Sequence, residues 1–214
     1  GDLHSKRVLF LDSDTMILDS LDDLHELDLE HFPVAACRDH TFPWFANPPR
    51  DKKKGWPPAG VHPREPYFNA GILLFDIENW SRLNCTDRVI DVLRRHTLEI
   101  VDQDALNIAL RGSIKQLPGA YNVSHAILRG SAPNWAGFVE DSSSDFGQKI
   151  LHFVGWPKPW SPLSTSSDPF VRAWREIAKD LGLPRTWQRP TLRSLAFRAI
   201  QALKPSILRV VKDR

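Results

Sequence analysis

Two cysteines, Cys37 and Cys85, are too few in 214 residues to build a disulfide framework, and they are compatible with a reducing compartment. No apolar run approaches the ~20 residues that a membrane-crossing helix needs. Residues 1–20 carry an acidic strand motif where an export signal would carry a hydrophobic core. Net charge is small, at +2, and no internal repeat is present. No recognised nucleic-acid module accompanies the basic residues, so no nucleic-acid partner is expected. With 42% hydrophobic and 25% charged residues, what remains is the composition of an ordinary soluble globular protein. The length suits one domain with a tail.

Charge is unevenly placed. From Arg185 onward there are eight basic residues and one acid, Asp213, which leaves twenty basic against twenty-five acidic residues in the body. That shift marks a composition boundary. Eight Trp and 17 Pro point to aromatic-lined loops. Seven of those prolines fall between 38 and 66 and forbid most regular structure there, while Trp44, Phe45 and Trp56 predict a loop that packs on something. Short strands are expected at Pro33–Cys37, Ile72–Phe75, Ile114–Leu117 and Lys149–Phe153. Helices are expected over Ile77–Trp80, over Asp87–His96 with Val89, Leu93 and Val92 inward, from Asp102 to a stop at Gly112, over Phe170–Leu181 and over Leu192–Leu203. Ser13–Leu29 reads as a turn and a short helix or loop, and 118–147 as loop-rich.

The most informative stretch is Arg7-Val8-Leu9-Phe10-Leu11-Asp12-Ser13-Asp14. An apolar run of this kind reads as a strand buried on both faces of a parallel sheet. In extended backbone, residues two apart project to one side, so Asp12 and Asp14 aim at one point past the strand's carboxyl end. Open α/β sheets bind ligands there. Two adjacent carboxylates repel, and a divalent cation between them is the economical remedy. Three further segments join a buried strand or a helix start to polar residues: Phe68-Asn69-Ala70-Gly71, Asp102-Gln103-Asp104, and His152-x-x-Gly155-x-x-Lys158-Pro159-Trp160.

These four segments, in this order across roughly residues 6–160, resemble glycosyltransferase family 8, which includes glycogenin and the bacterial lipopolysaccharide galactosyl- and glucosyltransferases. The Phe-Asn-Ala-Gly and Asp-Gln-Asp forms resemble the lipopolysaccharide branch most. The resemblance implies an α/β, Rossmann-like GT-A nucleotide-sugar transferase fold. It implies transfer of a hexose, galactose or glucose, from a uridine diphosphate sugar to a glycan acceptor, with retained anomeric configuration. Asp12, Asp14 and His152 match the family's metal ligands, and a carboxylate-imidazole set suits Mn²⁺ or Mg²⁺. The implied donor-binding set is Asp12, Ser13, Asp14, Asn69, Ala70, Asp102, Gln103, Gly155 and Lys158. Lys158 would bring positive charge to the phosphates, and Gly155 would let backbone approach them.

Gln103 and Asp102 match residues at the sugar and its reacting carbon. An amide oxygen is a poor nucleophile, so front-face substitution through an oxocarbenium-like state is expected, with Gln103 stabilising positive charge and the leaving phosphate helping to deprotonate the acceptor. Blander roles stand beside these. His152 suits a buried strand histidine, Asn69 a turn residue, Asp102 a helix N-cap and Lys158 a surface lysine. Asp104 reads as a structural acid.

The family has a leading βαβ segment that supplies much of the uracil and ribose pocket, and nothing in residues 1–7 replaces it. The expectation is therefore a partial catalytic domain over 1–165, binding donor weakly by itself, and a helical basic tail over 166–214. A cytoplasmic location is expected; residues 185–214 resemble a membrane-association region, and the two readings of them are a basic helix lying peripherally on the inner face of the membrane and a helix packed on the domain with its arginines in water. The competing readings are a non-catalytic nucleotide-sugar- or glycan-binding remnant of the same fold and a metal-dependent phosphoesterase.

Overall fold

The computed structural model describes residues 5–46, 55–128, 148–164 and 167–185. The expected helix at Leu192–Leu203 and the rest of the tail from residue 186 onward lie outside the described residues. The chain divides into two compact units, Gly1–His152 and Phe153–Arg214.

In the first unit, β1 (Arg7–Leu11), β2 (Thr15–Ile17), α1 (Asp22–Glu26), β3 (Val34–Arg38), β4 (Phe68–Asp76), α2 (Ile77–Arg82), α3 (Cys85–Arg95), α4 (Val101–Ala109), β5 (Ile114–Gln116), a 3₁₀ turn (Gly119–Asn122), β6 (Val123–Ser124), α5 (His125–Leu128) and β7 (Ile150–His152) follow in order. A four-stranded sheet runs β1-β4-β3-β5 and a three-stranded sheet runs β2-β7-β6. β4 is antiparallel to both neighbours, and only the β3–β5 pair is parallel in the larger sheet.

β4 forms the centre because its residues are apolar on both sides. Leu73, Val34 and Ala36 pack with Cys85, Ala109 and Leu110 on the face covered by α2–α4. Leu74, Ala35 and Cys37 pack with Leu24, Leu29, Leu117 and Tyr121 on the other. Successive strand residues point to opposite faces, so a strand covered on both sides reads as an unbroken apolar run.

β1 departs from expectation. It is antiparallel to β4, lies at the sheet edge among the described residues, and leaves Phe10 45% exposed. An apolar run does not reveal strand direction or the number of neighbours. Leu93 is also corrected: it is 39% exposed, whereas Val89 and Val92 pack on the core. β2 is a strand where a turn was expected, too short at three residues to carry a periodic signal. The proline-rich loop packs as expected, around Phe45, Val61 and Tyr67, and the Trp56 indole donates to the Phe45 carbonyl at 2.6 Å.

The second unit contains α6 (Pro169–Asp180). Asp168 caps it, accepting from the Phe170 and Val171 amides at 3.0 and 3.1 Å, with Pro169 in the first turn. Arg175 reaches from this helix to the carbonyls of Pro159, Ser161 and Ser164 at 3.0, 3.0 and 3.1 Å. Trp160 and Trp174 lie 5.5 Å apart. Among the described residues no helix is long and apolar enough to cross a membrane.

Candidate metal centre and its hydrogen-bond network

β1 ends at Leu11, and the chain turns at once into β2. The Thr15 amide and hydroxyl both donate to the Asp12 carbonyl, at 3.2 and 2.8 Å, closing the turn. Asp12 and Asp14 therefore converge because of a tight turn, and the extended backbone assumed from the sequence is corrected. The Asp12 amide donates to the Gly71 carbonyl at 2.8 Å, which ties the turn to β4. Across the smaller sheet, β7 pairs with β2 so that His152 stands opposite Thr15, one residue beyond Asp14.

The outcome is a cluster of three ligand atoms, one each from Asp12, Asp14 and His152, all within 4.8 Å of one another. The His152 Nε2 lies 3.6 Å from Asp12 Oδ2 and 3.3 Å from Asp14 Oδ1. The His152 side chain is 4% exposed, Asp14 10% and Asp12 45%, so the cluster opens to solvent on the Asp12 side. Two carboxylates and one imidazole nitrogen are the donor set of a hard divalent cation.

The backbone of β4 passes close beside the cluster. A Cβ placed on Gly71 would stand 2.3 Å from His152 Cε1 and 2.8 Å from Asp12 Oδ2. Only a residue without a side chain permits β4 to pass this close. Three ligand atoms brought this near one another are able to hold a cation.

Behind the cluster runs a buried network of amides. Backbone amides can only donate, so they orient it. The Gly71 amide donates to Asn69 Oδ1 at 2.9 Å, and the Ala70 amide to Gln103 Oε1 at 3.0 Å. The remaining nitrogens, Asn69 Nδ2 and Gln103 Nε2, both donate to Asp39 Oδ2 at 3.0 Å. Asp39 Oδ1 accepts from the Thr41 and Phe42 amides at 2.8 and 2.7 Å. Asn122 Nδ2 donates to Asn69 Oδ1 at 2.8 Å, and Asn122 Oδ1 faces His152 Nδ1 at 3.0 Å.

The site residues expected from the sequence thus divide into three groups. Asp12, Asp14 and His152 meet directly. Asn69, Ala70 and Gln103 join them through the amide network. Ser13 is exposed in the turn, and Asp102 is exposed in the first turn of α4 and takes no part in the network. Asp102 is not the helix cap either: Ile100 holds that position, and Asp104 accepts from the Glu99 and Ile100 amides, each at 3.0 Å. Asp104 is fully buried and also accepts from the Tyr67 hydroxyl, which agrees with a structural acid.

Gly155 and Lys158 belong to the second unit. Gly155 has φ +82°, a left-handed conformation that favours glycine. The Lys158 ammonium donates to the Phe153 carbonyl at 2.8 Å. Its own carbonyl accepts from the Ser161 amide and the Ser164 hydroxyl, at 2.8 and 2.6 Å.

Asp39 and Asn122 escaped the sequence reading. Asp39 carried a weak signal, a carboxylate separated by one residue from the apolar run Val34–Cys37. Asn122, fully buried in a 3₁₀ turn, carried none.

Mixed sheets flanked by helices, with a carboxylate pair at a strand end, agree with the GT-A-like glycosyltransferase fold of a solved structure. A crystal structure of the galactosyltransferase LgtC in complex with donor and acceptor sugar analogs superposes with a TM-score of 0.68, covering 87% of this chain and 66% of that one at 23% identity. The chain belongs to glycosyltransferase family 8: the model for "Glycosyl transferase family 8" matches residues 3–164. General stress protein A of Bacillus subtilis is 29% identical over 171 residues, 77% of this chain and 56% of its own length. Lipopolysaccharide 1,2-glucosyltransferase of Escherichia coli is 25% identical over 165 residues, 72% of this chain and 44% of that protein. The chain therefore spans about half the length of these two relatives.

Proposed function

We propose that this chain carries the metal- and sugar-handling part of a retaining hexosyltransferase that uses a uridine diphosphate sugar. The observation that carries the reading is the meeting of Asp12, Asp14 and His152 within 4.8 Å in a chain of this family. A divalent cation, Mn²⁺ or Mg²⁺, held by these three residues would supply Lewis-acid stabilisation to a departing diphosphate. Relatives whose names describe a glucosyltransferase and a galactosyltransferase support a hexose as the transferred group and a cell-surface glycan as the acceptor.

In this reading Asp12, the most exposed of the three, meets incoming donor first. Asn69 and Gln103 are held rigid by Asp39, which suits groups that must orient a sugar without reorganising. The Gln103 amide is satisfied on both sides: its nitrogen donates to Asp39, and its oxygen accepts from Ala70 and, at 3.2 Å, from Asn69. A stabilising role near the reacting carbon suits it better than a nucleophile's role. Asp102 is unencumbered and solvent-facing, free to bind a sugar hydroxyl.

The test is Mn²⁺ binding by electron paramagnetic resonance, with and without uridine diphosphate, followed by product analysis with uridine diphosphate galactose and glucose. The expected result is Mn²⁺ binding that tightens with the nucleotide and is lost in Asp14→Asn, with hexose transfer that retains configuration. Equal Mn²⁺ binding in wild type and Asp14→Asn would overturn the metal reading. A covalent adduct trapped on Gln103 or Asp102 would overturn the front-face reading.

A further inference from the structure

We propose that Asn122 is a positioning residue that decides which ring nitrogen of His152 faces the candidate metal centre. The inference rests on the metal reading of Asp12, Asp14 and His152 and extends it to a residue that never touches the cation.

The argument is one of donors and acceptors. The Gly71 amide must donate, so the Asn69 atom 2.9 Å from it is the oxygen. That oxygen also meets the Asn122 side chain at 2.8 Å, so Asn122 presents its nitrogen there. Asn122 has one side-chain atom left, its oxygen, and this stands 3.0 Å from His152 Nδ1. A carboxamide oxygen only accepts. Nδ1 therefore carries a proton, and the Nε2 lone pair is the one available to a cation beside Asp12 and Asp14.

Asn122 has little freedom to change this. It is fully buried, and its carbonyl accepts from the His40 ring. Turning its amide over would set nitrogen against a ring N–H and oxygen against the Asn69 oxygen. Second-layer hydrogen bonds of this type fix the tautomer and orientation of a ligating histidine, and their loss typically lowers metal affinity by ~10–100-fold.

The arrangement also joins the metal ligand to the sugar side of the site. Asn69 bonds both Asn122 and Gln103, so the residue that sets His152 shares a partner with the residue nearest the proposed chemistry.

The first experiment reads the ¹⁵N resonances of the His152 ring in the metal-free 214-residue chain at about pH 8.5, above the ordinary imidazole range. Nδ1 is expected in the protonated range, whether the ring is neutral or charged. An unprotonated Nδ1 overturns the proposal, whatever the chain does with Mn²⁺, so it and the metal reading can fail separately. The second experiment measures Mn²⁺ affinity in Asn122→Leu and Asn122→Ala, each checked by circular dichroism for a native spectrum. The expected loss is ~10–100-fold, with Nδ1 protonation no longer enforced. Unchanged affinity with unchanged Nδ1 protonation in a folded variant overturns the proposal. Where neither variant folds, the wild-type resonance decides.

Discussion

β4 has two halves that are about equally buried and chemically opposite. From Ile72 to Leu74 it is apolar, and its side chains need only be packed. From Phe68 to Gly71 it carries Asn69, and polar groups taken from water there cost free energy unless each finds a partner. Every one does. Asn69 bonds Asp39, Gln103 and Asn122, and the strand's own amides orient Asn69 and Gln103. Even the backbone at Phe68 is claimed by a side chain, since Asn107 accepts from its amide and donates to its carbonyl, both at 2.7 Å. One half of the strand makes the fold stable; the other holds a site in one geometry.

The sharpest way to separate the halves is to remove charge from the site. Asp14→Asn removes one of the three charged or ring-nitrogen donors and is expected to abolish Mn²⁺ binding detectable by electron paramagnetic resonance, with the urea midpoint nearly unchanged. A large loss of stability would merge the two halves. Truncation in the apolar half should do the reverse. Leu74→Ala removes a side chain only 3% exposed and is expected to cost about 2–5 kcal/mol in urea unfolding. Mn²⁺ affinity of the folded fraction should stay within about twofold of wild type if the halves are independent.

Gly71→Ala tests the border between them. Its Cβ would collide with His152 and Asp12, so overpacking of about 1–3 kcal/mol is expected together with weakened Mn²⁺ binding. Normal affinity with normal stability would show that the two strands can part without disturbing the ligands.

The smallest effect is expected at an exposed ion pair. The Lys149 ammonium lies 3.1 Å from Asp19, which holds the Asp19 carboxyl below its ordinary range and the lysine above its own. The Asp19 contribution is present above the ordinary carboxylate range and is lost as pH falls through its lowered value. The Lys149 contribution is complete below the ordinary lysine range and is lost as pH rises through its raised value. Asp19 is exposed, so the effect should be slight and should fade in about 1 M salt, where screening acts within about 3 Å. Urea midpoints across pH in wild type and Asp19→Asn would check it.

How much of this was legible in the sequence depends on whether the signal was local. Asp12 and Asp14 were legible because they follow a short apolar run at a spacing of two, and His152 because the spacing after it matched a known pattern. The reason they meet was not: a three-residue strand, β2, sets His152 opposite Thr15, and three residues carry no periodicity. Gln103 was legible as a site residue, but its acceptor and donor assignments depend on Ala70 and Asp39, which are far away in the chain. Asp102 read as a helix cap because its type and position allowed it, yet the helix begins one residue earlier and uses Asp104.

By itself the sequence determined most of the longer elements and the residue types able to hold a cation, since apolar runs, turn formers and carboxylates act through their immediate neighbours. Only the tertiary structure decided that β1 runs antiparallel at an edge and that Asn122 stands behind His152. It also decided that glycine alone fits at Gly71. Those are relations between atoms dozens of residues apart, and they are set by which surfaces pack together.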